Sequence, residues 1–188
     1  MSFRASALSG RYVPLPEDRA RVLRAAPFTY SAQGATRGET DRQRFFLPLA
    51  ASKAIGTGEA RFHRAAAAVL TWQAQRGAGI TVRASASFVA EGEVVDQRVG
   101  PVSAPCRVVY VVDEPRRKGF AYGTLPGHPE RGEERFLVSW DPQTDEVRVE
   151  VSSISLPSGP WLLALPVLRV VQRFFVRRFL LAVERASR

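Results

Sequence analysis

A chain of 188 residues, 45% hydrophobic and 24% charged, has the makeup of an ordinary globular protein. Its length is enough to bury roughly two-thirds to three-quarters of the surface its unfolded form exposes, and one domain over residues 1–188 is expected. A single cysteine, Cys106, excludes an internal disulfide and a cysteine-rich zinc site. The net charge of +9 raises the question of a nucleic-acid partner, but its distribution argues against a specific one. All 27 cations except Lys53 and Lys118 are arginines, and residues 160–188 set six arginines against Glu184 alone. Such an excess bears on weak association with polyanions and on solubility, not on fold.

Taken in order, the chain opens with residues 1–13, which carry little pattern. Pro16 followed by Glu17 and Asp18 suits a helix start, since proline there needs no donor and acids favour the positive end of the dipole. A short helix over Pro16–Ala26 is expected, then a polar loop over Gln33–Arg44 and a short apolar strand at Phe45–Ala50. The glycines of Gly56–Gly58 break the chain before a helix over Glu59–Gln75, where Phe62, Ala65, Ala66, Val69 and Gln73 share one face. Gly77 or Gly79 ends it. These glycines form only GTG, so no dinucleotide or phosphate-loop fingerprint is present.

From Ile80 onward the pattern changes to strands: Ile80–Ala90, Val94–Val99, Pro105–Asp113, Gly119–Leu125, Glu134–Trp140 and Glu146–Ile154, separated by glycine and proline turns. Val147, Val149 and Val151 alternate with Arg148, Glu150 and Ser152, as in a strand buried on one face. Short turns between consecutive strands imply an antiparallel meander. A long helix over Pro160–Ala186 follows, apolar along Leu165, Leu168, Val171, Phe175 and Phe179, with Arg169, Arg173 and Arg177 as an i, i+4 basic row and Pro166 kinking it or starting its second segment. The uncharged run Val151–Leu168 holds three prolines, a glycine and several serines, so a transmembrane segment is not expected. No apolar core follows the first residues, and a cytoplasmic location is the expectation.

Within this frame the stretch Gly119–Phe136, GFAYGTLPGHPERGEERF, is the most distinctive. The string YGTLPGHPERGEERF, preceded by VVYVVDE and GFA, resembles an uncharacterised protein family, UPF 0548. Gly56–Gly58, Phe62, Ala65, Trp72, Pro160 and Gln172 match as well, so the resemblance covers Leu15 to Val183. That family is similar to the START-like, Bet v 1-like (SRPBCC) helix-grip superfamily. The resemblance implies an α+β fold in which a curved antiparallel sheet wraps a long C-terminal helix around an apolar cavity. It brings no activity and no cofactor.

The chemistry-bearing candidates centre on His128 with Glu130, Glu133 and Glu134. A histidine held by a carboxylate can carry protons near neutral pH. The same residues can equally tie a turn together, with Gly127 and Gly132 supplying permissive backbone and Glu133 or Glu134 capping amides. The structural reading has the greater weight, because no reactive nucleophile adjoins them in sequence. Cys106 opens an apolar strand and reads as a small buried hydrophobe. His63 and His128 lie on different elements, which leaves no metal-ligand spacing. Tyr122 shares a strand face with Phe120 and Thr124, while Ala121, Gly123 and Leu125 share the other, whose small residues leave room for a helix or a ligand. Tyr110, Phe136 and Trp140 add aromatic surface.

The leading expectation is a protein that binds a hydrophobic small molecule or lipid, with Tyr122, Thr124, His128, Arg135, Trp140 and Phe175 as ligand-binding residues. Two others stay open. One is an enzyme doing acid–base chemistry in the cavity through His128 and Glu133 or Glu134; the other is a basic peripheral module that uses the last helix. A fold hosts many functions and decides none of these.

Overall fold

A computed structural model describes residues 12–37 and 47–188, with residues 160 and 164 described in backbone only. Along the chain it places β1 (Val13–Pro14), α1 (Glu17–Ala25), a 3-10 turn (Ala35–Arg37), β2 (Leu47–Thr57), α2 (Glu59–Leu70) and α3 (Gln73–Gly77). Then come β3 (Thr81–Ala84), β4 (Val94–Val99), β5 (Val102–Glu114), β6 (Arg117–Thr124), β7 (Glu130–Trp140), β8 (Glu146–Pro157), a 3-10 segment (Gly159–Ala164) and α4 (Leu165–Ala186). The strands form one sheet in the order β1-β3-β4-β5-β6-β7-β8-β2. Strands β3 to β8 are a continuous antiparallel meander, and β2 joins its far edge by pairing antiparallel with β8.

The concave face follows from side-chain alternation. On β8 the buried residues recur at Val147, Val149, Val151, Ser153 and Ser155, with partly exposed residues between them. Register carries the same face across to Phe136 and Glu134 on β7, and to Phe120 and Tyr122 on β6. Against it packs α4. Phe120 stacks on Phe136 at 5.5 Å, and Phe136 meets Phe179 of α4 edge-on at 5.1 Å. Lys53 on β2 reaches Glu184 at 2.7 Å and ties the helix to the sheet edge. This is the helix-grip arrangement.

The convex face is covered too. Leu15, Ala20 and Leu23, from α1 and the residues before it, pack on Val94 and Leu125 from the outer side. The segment after α1 continues across that face, bonding Thr29 N–H to the carbonyl of Thr124 at 3.1 Å. A bulge between Val108 and Tyr110 turns Tyr110 outward, where its hydroxyl meets that of Thr36 at 2.7 Å.

Several boundaries differ from the sequence expectation, each for a physical reason. The helix expected over Glu59–Gln75 breaks at Trp72, which takes φ 63, and restarts as α3. The break turns the indole inward onto Phe120 at 5.3 Å while Nε1–H donates to the carbonyl of Ala86. The strand expected over Ile80–Ala90 ends at Ala84, because the Ser85 hydroxyl and amide bond back to Val94. The strand expected at Phe45–Ala50 runs on to Thr57, its length set by ten paired positions on β8; residues 45 and 46 lie outside the described residues, as does the expected loop beyond Arg37 up to 44. The final helix starts at Leu165 with Pro166 in its first turn, where no donor is needed, after a separate 3-10 segment. No helix among the described residues is long and apolar enough to cross a membrane.

Candidate functional site: a pocket under the C-terminal helix

Between α4 and the concave face lies a pocket of about 320 Å³, within the range of small-molecule sites. Leu168, Val171, Phe175 and Phe179 of α4 form its roof, and Leu49, Ile80, Val99 and Val102 line its sides. Trp161 and Val167 reach its edge from the 3-10 segment and the start of α4. Polar side chains gather at one end: Gln97, Tyr122, Thr124, His128, Glu130, Glu134, Ser153, Ser155 and Gln172.

This polar end is built by strand register. Tyr122 and Glu134 are directly opposed on β6 and β7, and the Tyr122 hydroxyl donates to Glu134 Oε2 at 2.6 Å. Burial pushes the Glu134 carboxyl up to about 7; the Tyr122 bond opposes that rise and the nearby Glu130 charge adds to it. Burial, reinforced by the negative Glu134, also raises the Tyr122 phenol well above its usual range. Four residues back along β7, burial raises the Glu130 carboxyl, against the donation of Gln172 Nε2 to its Oε2 at 2.6 Å. The same amide reaches Ser155 Oγ at 2.8 Å, so Gln172 fastens α4 to two strands at the pocket.

His128 sits in the short turn that joins β6 to β7. Its amide donates to the Leu125 carbonyl at 3.1 Å, and Nδ1 lies 2.9 Å from both the Glu130 amide nitrogen and the Glu130 carbonyl oxygen, accepting from the first in one tautomer and donating to the second in the other. Burial lowers the imidazole to about 4, partly countered by the Glu130 backbone, so the ring is neutral at neutral pH. Nε2 is the ring nitrogen left uncommitted by the turn. Gly127 takes φ 97 within it. The partner of His128 is therefore the Glu130 backbone, not the side chain of Glu133 or Glu134 expected from the sequence.

Glu133 and Glu134, adjacent in sequence, face opposite sides of the sheet because β7 begins at Glu130 rather than Glu134. Glu133 points outward and is buried under the segment that follows α1. Its carboxylate accepts from Tyr30 Oη at 2.7 Å, the Gly34 amide at 2.8 Å, the Thr36 amide at 3.0 Å and the Thr36 hydroxyl. Burial and the Glu133 charge raise the Tyr30 phenol far above its usual value. Amide capping by a glutamate is thus present, and it fastens a remote segment rather than the histidine turn.

The remaining expected residues divide between the pocket and other places. Tyr122, Thr124, His128 and Phe175 line it. The Thr124 hydroxyl is occupied, accepting from the Gly132 amide at 2.9 Å and meeting Thr29 Oγ1 at 2.5 Å. Arg135 faces outward and pairs with Glu150. Trp140 is on the concave side but at the far end of β7, where its ring stacks with Phe62 at 6.4 Å and Nε1–H donates to Asp145. The small residues Ala121 and Gly123 also face outward: a Cβ on Gly123 would lie 2.7 Å from Tyr30 Cε1, so that face receives the segment after α1 and not α4. Cys106 is buried in the inner core, as a small hydrophobe. Of the basic row, Arg173 and Arg177 are exposed, while Arg169 turns toward Gln172 Oε1 at 3.4 Å. Among the described residues no group of three histidine, cysteine or acidic side chains is placed to hold a metal.

Sequence reading did not place Gln97, Ser153, Ser155 or Gln172 at a site. One signal pointed to two of them: Ser153 and Ser155 continue the buried row of Val147, Val149 and Val151 with hydroxyls.

A curved sheet gripping a helix over a pocket with apolar walls and a cluster of polar groups defines the fold as a helix-grip. Residues 29–182 match the model of a family described as a domain of unknown function, DUF1990. The chain belongs to that family. It is 43% identical over 82 residues to a UPF0548 protein of Deinococcus radiodurans, covering 43% of this chain and 41% of that one. It is 33% identical over 139 residues to a UPF0548 protein of Dictyostelium discoideum, covering 65% of this chain and 64% of that one. The matched segments therefore span about two-fifths and just under two-thirds of these relatives. In structure the chain is similar to a hypothetical protein of Helicobacter pylori, with a TM-score of 0.59 at 12% identity, covering 87% of this chain and all of that one.

Proposed function

We propose that the pocket under α4 binds an apolar small molecule or a single lipid chain, whose polar end meets Tyr122, Glu134 and the uncommitted nitrogen of His128. The observation that carries this reading is the pocket itself. Its walls are aliphatic and aromatic side chains, and the hydrogen-bonding groups gather at one end. Filling such a space with hydrocarbon removes apolar surface from water at about 25 cal/mol per Å², while the polar end fixes orientation. With a neutral imidazole and a carboxyl that is partly protonated at neutral pH, that end suits a hydroxyl or carbonyl group. A cytoplasmic site of action belongs to the same proposal.

Native mass spectrometry of the purified protein tests the reading. The expected result is a retained organic mass that denaturation releases. A protein that carries no such mass and takes up no added apolar probe would overturn it.

One observation favours a second reading, acid–base catalysis in the same pocket. The Glu134 carboxyl, raised to about 7, has the proton affinity a general acid or base needs at neutral pH. In this reading Glu134 moves the proton and His128 binds the substrate; Glu133, committed to the opposite face, takes no part. Turnover of a ligand found in the mass spectrum, lost in Glu134→Gln with binding retained, is the result that would establish it.

A further inference from the structure

The first half of α4 is apolar on both sides. Its inner side roofs the pocket through Leu168, Val171 and Phe175, while Leu163 of the preceding 3-10 segment, together with Val167, Val170 and Phe174, forms a second stripe that is solvent-exposed. These four are 93%, 63%, 65% and 53% exposed, and Trp161 and Leu162 extend the surface beside them. An apolar patch that a helix exposes beyond the stripe it buries marks a docking surface. We infer that this face lies in the interfacial region of an anionic lipid bilayer, with the 3-10 segment and the first turns of α4 lowered among the headgroups.

Charge selects the bilayer over a second copy of the chain. The stripe is bordered by Arg173 and continues into Arg177 at the position after Phe174 where the next apolar residue would fall; both guanidiniums are exposed. Residues 160–188 carry five of the nine net positive charges. Two copies meeting through this face would bring these like charges together around the seam. A negatively charged headgroup layer meets them with opposite charge while the tails take up the apolar side chains, and Trp161 suits the boundary between the two. Trp161 and Val167 also stand at the edge of the pocket, so the docked face opens toward the place where an apolar ligand would be collected or released. That last point rests on the binding reading above; the docking itself does not, and the two fail separately.

Sedimentation of the full chain with phosphatidylcholine vesicles, alone or with 30 mol% phosphatidylglycerol, tests the inference. Binding to the anionic vesicles is expected to exceed binding to the neutral ones at least tenfold, and to drop severalfold in high salt. Leu163→Glu combined with Val170→Glu is expected to abolish it at an unchanged melting temperature, since both side chains are solvent-exposed. Arg173→Gln with Arg177→Gln is expected to weaken it severalfold. Absence of binding by the unaltered chain at low salt would overturn the inference. So would undiminished binding by the Leu163/Val170 variant, or a stable dimer in sedimentation velocity that this variant dissociates.

Discussion

The hydroxyl of Tyr122 donates to Glu134 Oε2 at 2.6 Å between residues directly opposed on neighbouring strands, inside a pocket that raises the carboxyl to about 7. The bond favours the ionised carboxylate, so its removal costs most where Glu134 is charged. Tyr122→Phe is expected to lower stability by about 1–3 kcal/mol at pH 8, because it strips a buried carboxylate of its donor, and by less at pH 5. Urea denaturation at the two pH values measures the difference; an equal loss at both would show that the bond does not discriminate between protonation states.

The pocket also contains two opposed pH dependences. Folded Glu134 keeps its proton up to about 7, whereas the unfolded chain releases it near 4.5, so this group's stabilising contribution is whole below pH 4.5 and is lost as pH rises through 7. Folded His128 releases its proton near 4 and the unfolded chain near 6.5; its contribution is whole above pH 6.5 and is lost as pH falls through 4. Each span is worth at most roughly 3–4 kcal/mol. Glu134→Gln is therefore expected to gain stability relative to the unaltered chain on going from pH 5 to pH 8, and His128→Asn to gain on going from pH 7 to pH 4.5. Guanidinium titrations across that range decide it, and parallel curves for all three proteins would contradict the assignment.

Glu133 anchors the segment after α1 through four donors, two of them backbone amides. Glu133→Gln replaces one acceptor oxygen with a donor facing other donors. A loss of about 2–3 kcal/mol is expected, along with faster hydrogen exchange at the Gly34 and Thr36 amides. Exchange confined to the turn at His128, with these amides unaffected, would place the role of Glu133 elsewhere.

Gly127 and Gly132 separate two kinds of glycine requirement. A Cβ on Gly127 would meet nothing closer than Pro105 Cγ at 3.8 Å, so Gly127→Ala costs only the left-handed backbone, about 1 kcal/mol. A Cβ on Gly132 would also lie 2.7 Å from Ser155 Cα on β8. Gly132→Ala is expected to lower the melting temperature clearly more, by splaying β7 from β8 at the pocket wall. Thermal melts rank the two, and the reverse order would mean that strain outweighs collision.

Much of this fold was legible in the residues. Val147, Val149 and Val151 declared their face by alternation, and Pro16 with Glu17 and Asp18 declared the start of α1. The string GTLPGHPE-GEERF carried the family and with it the grip of sheet on helix. Two things could not be read locally. The start of β7 at Glu130 is set by pairing with Pro157 of β8, and that shift of four residues decides which way each glutamate is seen to belong in the sheet. The outer cover over Gly123 depends on a segment almost a hundred positions away, so its small residues suggested an opening where Tyr30 and Phe28 in fact sit. Arg135 and Trp140 were drawn to the site by their chemistry, while strand phase and position along β7 place them outside it.

The central claim, an apolar ligand under α4, is tested most directly by titrating the neutral dye Nile red into the unaltered chain and into two variants with the pocket filled, Ser153→Phe and Leu168→Trp. Saturable binding of one dye per chain is expected for the unaltered protein, with at least a tenfold loss in each variant that keeps a cooperative melt. Binding of equal strength in the filled variants would mean that the dye sits on the outer surface of α4, and that the pocket is not the site.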